Sequence, residues 1–313
     1  MKVFIAGATG VIGQRAVPLM VAAGHSVTAI GRSPEGRSAL QRAGAAVVSI
    51  DLFDRVAVER AINGHEAVVN LATHMPSSPA RMLLPWSWKE NDRVRREGSS
   101  ILVNAALLAG ATRFVQESFA PIYPDCGDLW ITERTAVQPA RFNQTVVDAE
   151  HATERFAALG RTAVVLRFGS LYGPDAFMQE MIKMVSMGWA ALPGRPSSYF
   201  SSISQHDAAA AVVEALHVPS GIYNVVDDEP LRRRDYFDSL ASLLGVKPPK
   251  FPPAWTAPFM GVTGECMSRS LRISNAKLRS SSEWAPLYAS IRAGWPAVLH
   301  ELRTEASSVL TAA

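Results

Sequence analysis

Cysteine is nearly absent from this chain. Of 313 residues only Cys126 and Cys266 carry a thiol, far apart and without metal-ligand spacing. That excludes a disulfide framework and a cysteine metal centre; two ordinary thiols in a reducing, cytoplasmic compartment are expected, with no metal. Long apolar runs are missing too. The N-terminal MKVFIAGATG is apolar only from Val3 to Ala6 before glycine breaks it, which does not make a secretory signal. No stretch reaches the roughly 18 apolar residues of a membrane span, so no membrane partner is expected. Charge of one sign is also scarce. The formal net charge is +3, and the longest arginine run, Arg232 to Arg234, reads as a solvated helix start. Nucleic acid is not an expected partner on that balance. Internal repeats are absent. What is present is 48% hydrophobic and 19% charged residues, the composition of a folded chain with a large core.

The first half alternates strand and helix. KVFIAG is a short buried strand bounded by glycine, and VIGQRAVPLMVAAG has helical apolar spacing and stops on Gly24. SVTAIG, AVVSI, EAVVNLA, RFVQES and TAVVLRFG read as further strands. SALQRAG, VAVERAIN, GSSILVNAALLAG and TVVDAEHATERFAALG are the helices between them. Continuous β-branched runs in this rhythm predict a parallel sheet covered by helices on both faces. The expected fold class is α/β, a doubly wound parallel sheet of Rossmann type with a smaller C-terminal substrate lobe. The rhythm loosens after Gly173. Residues 1–173 are assigned to the dinucleotide domain, 174–205 and 227–313 to the lobe, and 206–226 to a return to the sheet.

FIAGATGVIGQ spaces Gly7, Gly10 and Gly13 in G-x-x-G-x-x-G between the first strand and the first helix. Glycines there let the backbone turn tightly against a pyrophosphate, and the helix N-terminus offers it free N–H groups. Thr9, Val11 and Ile12 belong to the same loop. The end of the second strand selects the cofactor. A carboxylate there would serve the ribose hydroxyls of NAD(H). The sequence instead has GRSPEGR, with Arg32, Ser33 and Arg37, groups that pair with a 2′-phosphate. NADP(H) is favoured over NAD(H).

These motifs, with those that follow, resemble the extended short-chain dehydrogenase/reductases of the NAD(P)-dependent epimerase/dehydratase type. DLFD resembles the adenine-contacting turn, with Asp51 and Leu52 in the contacting places. NLAT resembles the segment beside the cofactor ribose, which implies contacts from Leu71, Ala72 and Thr73. RFGSLYGP resembles an R-x-x-N-x-Y-G-P turn with Ser170 where asparagine is common; Phe168 is implied on the cofactor side, and Gly169 and Ser170 on the substrate side. SQHDAAAAVVEAL and GIYNVVDDEPL resemble the helix and strand that follow. In this order the motifs span roughly residues 1 to 245.

The resemblance also implies a catalytic serine, tyrosine and lysine, the last two as Y-x-x-x-K on one helix face. There the ammonium lowers the phenol's pKa so that it can pass a proton while hydride moves. This chain lacks all three. PARFNQTVVDAE is in register through Glu150, and it places Phe142 and Val146 at the tyrosine and lysine positions. None of the six tyrosines is followed four residues later by lysine. The serine position is Phe119, with Ser118 one residue early. Ser118 and Tyr123 are the candidate replacements, because the strand end points at the site and Tyr123 is the nearby phenol; Glu117, Asn143, Thr145, Lys183 and His206 are weaker ones.

Two stretches read as substrate-covering loops. HMPSSPARMLLPWSWKEND brings His74, Met75, Trp86 and Trp88; FPPAWTAPFMGVTGECM brings Phe251, Trp255, Phe259 and Met260. With Phe119, Phe142, Val146, Gly169 and Ser170 they suggest a small apolar or aromatic carbonyl or hydroxyl substrate. The expected function is an NADP(H)-dependent oxidoreductase with a nonstandard proton donor. The alternatives are a redox-neutral isomerase, cyclase or dehydratase keeping NADP as a structural cofactor, and a non-catalytic NADP-binding regulator. The scaffold admits a homodimer.

Overall fold

Val3 and Ile5 face one way from the first strand and Phe4 and Ala6 the other, and all four are buried. A strand buried on both faces needs a helical layer on each side, and the computed structural model of the protein has both. It describes residues 1–76, 81, 84–253 and 261–311. The main sheet has seven parallel strands: β1 (Lys2–Ala6), β2 (Ser26–Ile30), β3 (Ala46–Val48), β4 (Ala67–Asn70), β5 (Arg113–Phe119), β6 (Thr162–Phe168) and β7 (Gly221–Val225). Their spatial order is β7–β6–β5–β4–β1–β2–β3. The winding reverses between β1 and β4, and that switch point is where an open α/β sheet leaves a crevice at its carboxyl edge.

On one face Val3, Ile5, Val69, Val115 and Leu166 pack with Ala16, Val17 and Met20 of the helix Gly13–Ala22 and with Ala208 and Val212 of the helix Gln205–Glu214. On the other, Phe4, Val68 and Phe114 meet Val58, Leu102 and Phe156 of the helices Arg55–Ile62, Ser99–Leu108 and Gln144–Ala157. Each fully buried side chain of this kind contributes about 1.5–3 kcal/mol. The first helix ends as its sequence suggests. Gly24 takes φ +81°, and the N–H groups of Gly24 and His25 close on the carbonyls of Val21 and Met20.

Beyond β6 the chain builds a second cluster. Met178 and Met181 of the helix Ala176–Ser186, Tyr236, Phe237 and Leu240 of Arg233–Leu244, and Trp295 of Ile291–Thr311 enclose Phe200 and Tyr172. Between these lobe segments, Gln205–Glu214 and β7 rejoin the main sheet. The long C-terminal helix carries Pro296 and was not legible in the sequence. The arginine triple at the start of Arg233–Leu244 corrects an expectation: Arg232 and Arg234 meet solvent, but Arg233 is 2% exposed. Among the described residues no helix is long and apolar enough to cross a membrane.

Candidate dinucleotide and substrate site

The carboxyl ends of β1 and β4 border a cavity of about 270 Å³. Its floor is the glycine turn. Gly7 sits at φ +80°, where any Cβ would overlap the backbone of Leu71, and a Cβ on Gly13 would overlap the carbonyl of Gly7. The turn is closed by the Gly10 N–H on the Gly7 carbonyl at 3.0 Å. The helix that starts at Gly13 has no side-chain cap; the N–H groups of Gln14 and Arg15 close on the carbonyls of Gly10 and Ile12, which tightens the turn against the helix start. Backbone packed this closely, with an uncapped helix start behind it, fits a dinucleotide pyrophosphate.

Most residues expected at the cofactor line this cavity. Gly7, Thr9 and Gly10 form the loop side, and Arg32, Asp51 and Leu52 the far end. Leu71, Ala72 and Thr73 form the β4 side with His74 beyond them. That β4 segment is held by two buried asparagines. Asn70 Oδ1 accepts from Ala72 N at 3.1 Å while its amide donates to Ser99 and Gln116, and Asn91 Oδ1 accepts from His74 N at 3.0 Å. Sequence reasoning missed this scaffold, because its partners lie on distant elements. It also missed Ile30, Ile50, Phe53, Glu90 and Val94 on the cavity wall.

Other expected contacts fall elsewhere. Ile12 and Phe168 are buried core residues, and Val11 points to solvent. Ser33 is occupied as a helix cap, its Oγ accepting from Gly36 N at 3.0 Å. Arg37 turns back to donate to the Arg32 carbonyl at 2.8 Å, so it braces the turn. Arg32 alone of the three projects, exposed, at the cavity.

The expected proton donors lie inside the fold. β5 continues to Phe119, one residue further than its sequence suggested, and one residue reverses the side chain's direction. Phe119 therefore takes the site-facing place. Ser118, fully buried, donates to Glu150 Oε1 at 2.5 Å. Arg167 grips the same carboxylate through Nε at 2.9 Å and Nη2 at 2.6 Å, and its Nη1 donates to the Tyr123 hydroxyl at 2.8 Å. Tyr123 in turn donates to Asn224 Oδ1 at 2.8 Å. Burial pushes the Tyr123 phenol up, outweighing Arg167 beside it. Burial alone would lower Arg167, but Glu150 more than reverses that. A phenol harder to ionise than usual, with its hydroxyl already engaged on both sides, is poorly placed to pass protons. Ser118 and Tyr123 also line neither the dinucleotide cavity nor the smaller one described below. This arrangement gives the proton-donor expectation for them no support.

Phe142 and Val146 form an apolar wall. Phe142 lies 4.9 Å from Trp88, ring centre to ring centre, and Val146, 2% exposed, packs with Ile122, Val147 and Phe119. Glu117 points to the helical layer and pairs with Arg95 at 3.0 Å; burial raises its carboxyl despite that partner. Asn143 bonds Pro121 and Cys266, and Thr145 bonds Asp92. Lys183 is exposed on the lobe, and His206 is exposed at the start of the helix Gln205–Glu214, which packs on the main sheet. Phe119, Gly169 and Ser170 border a second, small cavity of about 20 Å³ with Phe200, Arg233 and Met267. Trp86 is exposed and Phe251 packs on Phe237; Trp255, Phe259 and Met260 lie outside the described residues.

Residues 7–219 match a family model described as NAD(P)H-binding. A 3-diazoavenalumate denitrifying reductase of Streptomyces sp. is 32% identical, over 94% of this chain and 99% of that protein. The UDP-glucose 4-epimerase of Thermotoga maritima superposes with a TM-score of 0.77 at 19% identity, over 97% of this chain and 99% of that one. A dTDP-glucose 4,6-dehydratase of Streptomyces venezuelae, solved with NAD, gives 0.75 at 17% identity, over 94% of each chain. At these identities the two solved structures speak for the fold alone.

Proposed function

Because this chain belongs to the NAD(P)H-binding family and has the fold of the epimerase/dehydratase type of short-chain dehydrogenase/reductases, we propose that it is an NADPH-dependent reductase of an aromatic diazo group. The observation that carries this is the replacement of the proton-relay pair by apolar side chains, Phe142 against Trp88 and Val146 buried against Phe119, in a chain whose dinucleotide cleft is intact. A ketone must gain a proton on oxygen as hydride reaches carbon, which is the work of a tyrosine and lysine. An arenediazonium needs no such proton. Hydride on its terminal nitrogen gives an aryldiazene, Ar–N=N–H. The diazene then loses dinitrogen and keeps that hydrogen on the ring carbon. The sum, ArN₂⁺ + NADPH → ArH + N₂ + NADP⁺, balances without an acid. The reductase relative, whose name specifies a diazo compound and loss of nitrogen, supports the same reaction class.

The cofactor supplies hydride when bound, and the chain supplies position and dryness. Gly7, Gly10 and the uncapped helix start hold the pyrophosphate. Phe119, backed by Val146, keeps water from a reactive diazonium. Arg32 favours NADPH over NADH: it projects at the cavity, and among the described residues no carboxylate pairs with it.

The test is to mix purified protein with NADPH and a panel of arenediazonium salts and ketones. Oxidation of NADPH matched by dinitrogen and arene is expected. Dinitrogen release without NADPH oxidation, or binding without turnover across the panel, overturns the proposal in favour of a redox-neutral enzyme or a regulator. Arg32→Ala should weaken NADPH roughly ten- to a hundredfold, the worth of one charge-assisted hydrogen bond, and leave NADH unchanged; equal loss overturns the cofactor preference.

A further inference from the structure

Four arginines of the described residues are buried: Arg95, Arg167, Arg233 and Arg269. Arg95 pairs with Glu117 and Arg167 with Glu150. Arg269 donates to the carbonyls of Tyr123 and Gln138, both at 2.8 Å, and leaves no polar atom orphaned. Arg95 also leaves its Nε and Nη1 without a hydrogen-bond partner, but it has the Glu117 carboxylate; Arg233 alone of the four combines orphaned donors with no ion pair. Among the described residues no carboxylate pairs with it, and its Nε and Nη1 have no hydrogen-bond partner. Only Nη2 is engaged, with the Met267 carbonyl at 2.6 Å and the Arg269 carbonyl at 3.3 Å, while the Phe200 ring lies 4.9 Å from the guanidinium. Its neighbours in sequence do not share this. Arg232 reaches Asp128 and Arg234 reaches Asp238 at the surface.

An uncompensated buried cation is costly to a fold, and each orphaned donor adds to that cost. Burial lowers the guanidinium's pKa to about 10, which still leaves it charged at neutral pH. The charge borders the small cavity whose sheet side is Phe119, Gly169 and Ser170. These residues end β5 and follow β6, beside the Phe142–Val146 wall.

We propose that Arg233 is the anion anchor of the substrate pocket and takes the carboxylate of an aromatic acid. One guanidinium balances one negative charge; among the described residues no second cationic side chain borders the cavity, so a nucleoside diphosphate would go unneutralised. The remaining wall of Phe119, Phe200, Met267 and Leu271 suits a ring. At about 20 Å³ the cavity holds one water, so the acid must displace its wall. Met267, half-buried and unbranched, is the side chain best able to yield. The anchor names the substrate class for the reductase proposed above and rests on that proposal for its role, but its binding can be measured without turnover.

The experiment titrates the full-length protein, loaded with NADP⁺, with 2-naphthoate and with 2-naphthamide, the same ring system without the charge. Wild type should bind the acid at least tenfold more tightly than the amide. Arg233→Met should erase that preference, leave NADP⁺ affinity unchanged, and unfold no earlier than wild type. Equal binding of acid and amide, binding of neither, or an acid preference that survives in Arg233→Met would overturn the anchor. If Arg233→Met fails to fold, Arg233→Lys should keep a reduced acid preference, and the wild-type acid-to-amide ratio still decides. Failure of diazonium reduction with a normal acid preference would sink the reductase and spare the anchor; the reverse result would do the opposite.

Discussion

Restoring the missing lysine should injure the protein rather than mend it. Val146 is 2% exposed and surrounded by Ile122, Val147, Phe119 and Val137. A lysine placed there has no carboxylate in that cluster and no water. Full burial depresses a lysine's pKa by about 3–5 units, and each unit between pH 7 and the unfolded value of about 10.4 is 1.36 kcal/mol, so Val146→Lys should lose roughly 4–5 kcal/mol at pH 7. That is comparable with the whole stability of many domains. The pH dependence follows from the sign. With the folded pKa below the unfolded value of about 10.4, the unfolded chain holds more protons, so the variant's stability must rise as pH increases and the deficit must shrink toward pH 10. Urea midpoints of Val146→Lys and Val146→Met at about pH 7 and pH 9.5 measure it, the methionine variant reporting the change of shape alone. If the two variants unfold together at pH 7, the wall is wet, and the claim that this site excludes a proton donor is refuted. Adding Phe142→Tyr to Val146→Lys should not create ketone reduction, for the same reason.

Ser118→Ala and Tyr123→Phe should keep the rate of NADPH-dependent reduction within a few-fold of wild type while costing about 1–3 kcal/mol of stability, since they orphan groups of Glu150, Arg167 and Asn224; a hundredfold fall in kcat at unchanged stability would return them to the chemistry. Asp227 is 3% exposed near Asp207 and Asp228, and burial first, then these carboxylates, hold its carboxyl well above the usual range despite its bond from Ser202. A raised folded pKa contributes stability below the unfolded value of about 4 that is lost as pH climbs toward the folded one. Asp227→Asn should therefore gain on wild type steadily from pH 4 through neutrality in urea unfolding, and parallel curves would contradict the assignment.

The sheet could be read from the sequence because its signals are local. Lys2–Ala6, Ala67–Asn70 and Thr162–Phe168 are dominated by continuous apolar or β-branched stretches, and Gly24 stops its helix within hydrogen-bonding reach of it. The glycine turn was legible for the same reason. The fate of Ser118 was not. It depends on whether β5 ends at residue 118 or 119, and that is decided by pairing with β6, where Ser118 lies opposite Arg167 and Phe119 opposite Phe168. Nor could Arg32, Ser33 and Arg37 be separated. All three suit a phosphate by type, but one caps a helix and one braces a turn, uses that depend on where the helix Pro34–Arg42 begins. Arg233 shows the same limit. Successive residues on a helix point about 100° apart, so one arginine of three turns inward, and only the packing of Met267 and Phe200 says which.

The buried charges, taken together, narrow the substrate further than any one of them. Glu150 and Glu117 are each matched by an arginine, so the region where the catalytic serine and tyrosine would sit contributes almost no net field. Arg233 is left as the dominant charge at the substrate cavity. A diazonium ion alone would meet a like charge there, a repulsion of about 4 kcal/mol at 4 Å for an effective dielectric near 20. A carboxylate on the same molecule reverses the sign: it pairs with Arg233 and holds the cationic end away from it, toward the apolar wall and the dinucleotide. On the proposed reading, an arenediazonium with a carboxylate across the ring system should be reduced faster than one without it.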